Sequence, residues 1–166
     1  MFATKSWFFS IFSAVFLVFS LADAEPPKDS AKVQLSEEEK AFLELANQAR
    51  AKAKLPPLTV SAALLAAARE HAANMAAKSE MNHVLDGKDT AHRVRSHGYE
   101  FEKVAENIAA CEKNNAAEVF RNWMECQHNK DNVLNDEFKE LGIGIAKSEK
   151  GETYYALVFA TPRPKH

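Results

Sequence analysis

Two apolar runs near the C-terminal end constrain the fold class of this chain more than any other feature. Leu141 to Ala146 (LGIGIA) and Thr153 to Phe159 (TYYALVF) flank a polar, Gly-containing segment from Lys147 to Gly151. β-Branched and aromatic residues on both sides of such a turn predict an antiparallel hairpin. Most of the chain ahead of it shows helical periodicity. Helices first and strands late predict an α+β fold, an antiparallel sheet covered by helices, and not an alternating βαβ unit.

The first helix opens on Ser36, whose spacing to Glu39 makes a capping box. It carries Phe42, Leu45, Ala46 and Ala49 at helical spacing, and Pro56 and Pro57 stop it near Lys54. Leu58 to Val60 is a short extended link. Ser61 caps an alanine-rich second helix with Leu64, Leu65, Ala68, Ala72 and Met75 on one face. His71 lies on or beside that face and reads as a packed or hydrogen-bonded histidine of the helical layer. A loop carrying His83 follows. Thr90 caps a shorter helix through His97, which Gly98 ends, and its His92 and His97, in a charged and mostly exposed segment with Arg93 and Arg95, read as solvated surface. Tyr99 to Val104 is extended chain or loop. Asn115 caps an amphipathic helix from Ala116 to about Cys126, built on Val119, Phe120 and Trp123.

The N-terminal residues are an address. Lys5 precedes an apolar run from Trp7 to Leu21, and Ala22, Asp23 and Ala24 supply a small-residue cleavage site. Residues 1–24 therefore read as a secretory signal peptide cut after Ala24. The run is shorter than the ~20 residues of a bilayer span. Residues 25–35 form a polar flexible linker, and residues 36–166 form one domain. The expectation is a secreted or periplasmic monomer with no membrane span after cleavage. A net charge of −2 and the absence of a basic stripe exclude nucleic acid as a partner. Two cysteines, Cys111 and Cys126, permit one disulfide in an exported chain, or remain partly buried thiols.

No HExxH, GxSxG, P-loop, GxGxxG or CxxC motif occurs. The residues left to carry chemistry are His83, Glu106 and His128, with Glu125 as a fourth member. Imidazole nitrogens and a carboxylate are suitable direct ligands for zinc or a similar divalent ion. The same groups can act as a general base and its electrostatic partner on a water. Cys126 and His128, two apart, do not face each other on a helix, which weakens a thiol nucleophile. Glu106 and Asn107 by themselves read equally well as a structural turn.

Taken in order, these segments resemble the CAP superfamily, the cysteine-rich secretory, antigen 5 and pathogenesis-related proteins that share the SCP domain. The resemblance runs from about Phe42 to Pro162. Leu45 to Arg50 resembles the family's first helix, with Asn47 and Arg50 in its "N-x-x-R" ending. Leu55 to Leu58 resembles the connection that follows, and Leu65 to Met75 the second helix. His83 matches the first site histidine. Ala105 to Ala109 matches the "GENIA" signature with Ala105 in place of Gly. Trp123, Met124 and Asn132 to Leu134 fit the bacterial "WMxSxxHxxNIL" form, and Leu141 to Gly144 with Tyr154 to Phe159 resemble the closing strands.

The resemblance implies a three-layer α-β-α sandwich with a central antiparallel sheet. It also implies a surface cleft of two histidines and one or two acidic residues, in some members around a divalent ion. His83 and Glu106 carry over directly. The slot of the second histidine, six residues after the Trp, is Asn129, with His128 one place early. The serine or acidic slot, three after the Trp, is Cys126, with Glu125 one place early. One residue is a turn of about 100° on a helix, so His128 regains the cleft only where the helix ends early. The implied function is a binding module with a cleft of His83, Glu106, His128, Glu125 and Asn129. That cleft takes a small ligand or a divalent cation such as zinc on His83 and His128. A small ligand, a lipid or an extracellular protein is the implied partner. Two alternatives remain: a peptidase-like hydrolase using Glu106 and the histidines to activate water, and a non-catalytic scaffold. The balance of residues leans away from an enzyme.

Overall fold

A computed structural model describes residues 33–112 and 116–164. The expected signal peptide and cleavage site, the expected linker up to residue 32 and the expected Asn115 cap lie outside the described residues. The Ser36 hydroxyl accepts from the Glu39 N–H, and the Glu39 carboxylate accepts from the Ser36 N–H. This capping box starts helix α1 (Glu37–Lys52). Ser61 occupies the N-cap of α2 (Ala62–Lys78), although its hydroxyl makes no capping bond. The cap of α3 (Thr90–Ser96) is Asp89 and not Thr90, because the Asp89 carboxylate accepts from the His92 N–H at 2.7 Å. Gly98 sits beyond its end at φ 75°, a left-handed conformation that favours glycine.

Residues Thr59–Val60 of the extended link pair as a short strand, β1, and the extended stretch before Glu106 runs on through it as an eleven-residue strand, β2 (Phe101–Cys111). The amphipathic helix α4 (Ala116–Glu125) stops at an extended Cys126, φ −87° and ψ 118°, and a separate helix α5 (Gln127–Val133) begins. The expected hairpin is present as β3 (Glu140–Lys147) and β4 (Thr153–Pro162). The sheet order is β1-β3-β4-β2, with all pairs antiparallel except the two-residue β1–β3 pair.

The central strand β4 is buried on both faces and accordingly reads as a continuous apolar run. Tyr155, Leu157 and Phe159 pack with Phe42 of α1 and Trp123 of α4, whereas Tyr154, Ala156, Val158 and Ala160 pack with Leu64, Ala68 and Met75 of α2. Helices therefore cover both faces, an α-β-α sandwich. Gly142 and Gly144 show how closely α2 approaches. A Cβ at either position meets the backbone of Leu64 or Ala68 at 2.0–2.2 Å.

Buried polar groups tie the layers. The Arg50 guanidinium, fully buried, donates to the carbonyls of Pro56, Val133, Asn135 and Phe138. The Asn47 amide makes two bonds with the Leu58 backbone, at 2.8 and 3.0 Å. Arg69 of α2 clasps both Glu39 oxygens at 2.6 and 2.7 Å, joining α2 to the start of α1. No helix among the described residues is long and apolar enough to cross a membrane.

Candidate functional site

Adjacent residues of a strand point to opposite faces of the sheet, and on β2 this separates Glu106 from Asn107. Val104, Ile108 and Ala110 pack on the α2 side, while Ala105, Ala109 and Cys111 pack on the α1 and α4 side. Glu106 follows the first group and Asn107 the second.

Glu106 is buried, and each of its oxygens is engaged. Oε1 accepts from Arg93 of α3 at 2.7 Å, and Oε2 bonds His83 Nδ1 at 2.9 Å. His71 Nε2 of α2 lies 3.6 Å from the same Oε2. Burial pulls the Glu106 carboxyl upward, but the His83 hydrogen bond and the charge of Arg93 outweigh it, and the group is held below its ordinary value. Burial likewise lowers the His71 imidazole, against the opposing pull of Glu106.

His83 stands on the loop after α2 with 53% of its side chain exposed above this buried carboxylate. The loop is fixed in place. Arg93 donates to the carbonyls of His83 and Lys88 at 3.0 and 2.8 Å. The Asn82 side chain accepts from the Val84 N–H, and Asp86 is held by Asn74 and Lys78.

On the other face the contacts of Asn107 are neutral. Asn107 donates to the Asn129 carbonyl at 3.0 Å and accepts from the Asn132 amide at 2.8 Å, docking α5 on the strand. Trp123 Nε1 donates to the Ile108 carbonyl. Asn129 thus contributes its backbone. Glu125, Cys126 and His128 are exposed, and none of the hydrogen bonds or ion pairs of Glu106 and His83 involves them.

A family model for the cysteine-rich secretory protein (CAP) family matches residues 43–160. The chain belongs to the CAP family. The uncharacterized protein YkwD of Bacillus subtilis is 31% identical over 120 residues, covering 72% of this chain. The chain spans 46% of YkwD's length. Two solved structures share the fold. An outer surface protein of Borrelia burgdorferi superposes with a TM-score of 0.72 at 18% identity, covering 79% of this chain and 97% of that one. An extracellular SCP-domain protein of Bacillus anthracis gives 0.67 at 20% identity, covering 76% and 44%.

Among the described residues no three His, Cys, Asp or Glu side chains come together as metal ligands, and both Glu106 oxygens already have partners. Cys111 is half-buried at the end of β2, and Cys126 is exposed at the break between α4 and α5.

Two members of the cluster escaped the sequence reading. Arg93, in a segment expected to be mostly exposed, is buried, and His71 Nε2 lies 3.6 Å from the Glu106 carboxylate. The available signal was Glu106 itself. A carboxylate on an inward strand position needs a buried counter-charge, and Arg93 beside apolar Val94 was a candidate for it. Arg95 does remain at the surface, over the Phe101 ring at 4.5 Å.

Proposed function

We propose that this CAP domain is an exported binding module whose ligand contacts the His83 imidazole, with Glu106 as its support. One observation carries the reading: a half-exposed histidine is bonded to a fully engaged, buried carboxylate at 2.9 Å. A carboxylate acceptor requires Nδ1–H, so the neutral ring presents its Nε2 lone pair away from Glu106. Glu106 is poorly placed to activate water, since each oxygen has a partner, and this favours binding over a Glu-based hydrolase. His128, Glu125 and Asn129 border the α5 side and are assigned no ligand contact. A fragment screen by ligand-observed NMR, run on the whole chain and on His83→Ala, tests the reading. Hits should vanish in the variant, and a hit set that persists unchanged sinks it.

A second reading rests on a different place. A groove of about 560 Å³ between α1 and α4 is lined by Leu45, Ala49, Phe120, Met124 and Leu134, with Lys52 and Arg121 also on its wall. Apolar lining with two cations suits an amphipathic lipid with an anionic head group. Retention of a fluorescent fatty acid by wild type and its loss in Phe120→Arg is the expected result.

A further inference from the structure

We infer that Arg93 is the positioning residue for His83, and that it makes the site select an uncharged hydrogen-bond donor over a divalent cation. The inference rests on His83 being the ligand contact and extends it to the ligand's chemistry. One buried guanidinium reaches Glu106 Oε1 at 2.7 Å, the His83 carbonyl at 3.0 Å and the Lys88 carbonyl at 2.8 Å. It also lies 3.3 Å from the Thr90 hydroxyl. Arg93 therefore holds the imidazole twice, through the backbone of its loop and through the carboxylate that orients its ring. A planar five-donor fork serves several acceptors at once, which a lysine ammonium does not reproduce.

The charges follow from the same contacts. Arg93 and Glu106 form a buried pair, so the single carboxylate beneath His83 is already neutralised. An arriving dication meets one imidazole nitrogen, a buried carboxylate already paired with Arg93, and a poorly screened guanidinium behind them. A hydroxyl or amide donor meets a fixed lone pair and has no such opposition. The rim agrees. The exposed large hydrophobics among the described residues are Val33, Met81 and Val84, and the last two, 52% and 48% exposed, flank His83 in the loop. An uncharged ligand with an apolar part fits this setting.

The test is nitrogen-15 NMR of the His83 ring in the full chain, with zinc chloride and phenol as probes. Wild type should show the Nδ1–H tautomer, a saturable shift with phenol and none with zinc. In Arg93→Lys the single-tautomer signature and the slow amide exchange of residues 79–88 should be lost. A wild-type Nε2–H tautomer, or a variant indistinguishable from wild type, overturns the positioning role. A saturable zinc shift that disappears in His83→Ala, or a ring unmoved by phenol, overturns the ligand class. Those results leave a His83 ligand site standing, whereas fragment hits indifferent to His83→Ala remove the site itself. If Arg93→Lys fails to fold, the wild-type tautomer and the two titrations still decide.

Discussion

Glu106 and Asn107 are neighbours in sequence, yet they organise different halves of the molecule. On the α2 and α3 face, Glu106 gathers His71, His83 and Arg93, all ionisable. On the α4 and α5 face, Asn107 meets only an amide and a carbonyl. The first face concentrates charge beneath an exposed ring. The second uses neutral hydrogen bonds to fix the position of a helix. A two-residue family signature thus combines a candidate site residue with a structural one, and the alternation of a strand is what divides them.

Replacing the carboxylate gives the largest contrast. Glu106→Gln leaves Arg93 buried without its counter-charge and is expected to cost about 3 kcal/mol of stability, with loss of the fixed His83 tautomer. Asn107→Ala removes one bond given and one accepted. It is expected to cost about 2 kcal/mol while the His83 ring signals stay in place. Urea unfolding and histidine NMR on both variants check the pair. A His83 tautomer that changes equally in both would erase the distinction between the faces.

The division also marks what was legible in the sequence. The hairpin, the capping box and the order of helices were readable, because periodicity and caps are local properties of adjacent residues. The partner of Glu106 was not. Arg93 sits in a seven-residue helix too short for a clear periodicity, and its burial depends on a strand that passes it later in the chain. The end of α4 near Cys126 was readable, but not the return to helix over residues 127–133 after a single extended residue. Asn47 and Arg50 were recognised through family likeness alone. The contacts explain them, because each satisfies loop carbonyls that no nearby residue reaches.

A smaller effect separates the faces by pH. The Glu106 carboxyl is lowered, so its stabilisation is complete above the ordinary value of 4.5 and is lost as pH falls through the folded value. His71 is also lowered, from 6.5, so the unfolded chain takes up that proton first. Stability should therefore begin to fall as pH drops through 6.5 and fall further below 4.5. The upper part of the decline should flatten in His71→Gln and persist in Asn107→Ala. Urea midpoints measured across this range check it, and a wild-type midpoint that rises from pH 7 to pH 5 contradicts it.

The smallest expected change is the most discriminating for the α5 side. His128 is exposed in the first turn of α5, and α4 has already ended at Glu125, so the early helix end that a restored site required is present. Even so, no hydrogen bond or ion pair joins His128 to Glu106 or His83. A solvent-exposed side chain without such partners contributes within about 0.5 kcal/mol. His128→Ala should leave the urea midpoint, the His83 tautomer and the fragment hits as they are in wild type. Loss of the hits with the fold intact would bring α5 into the site and make it span both faces of β2.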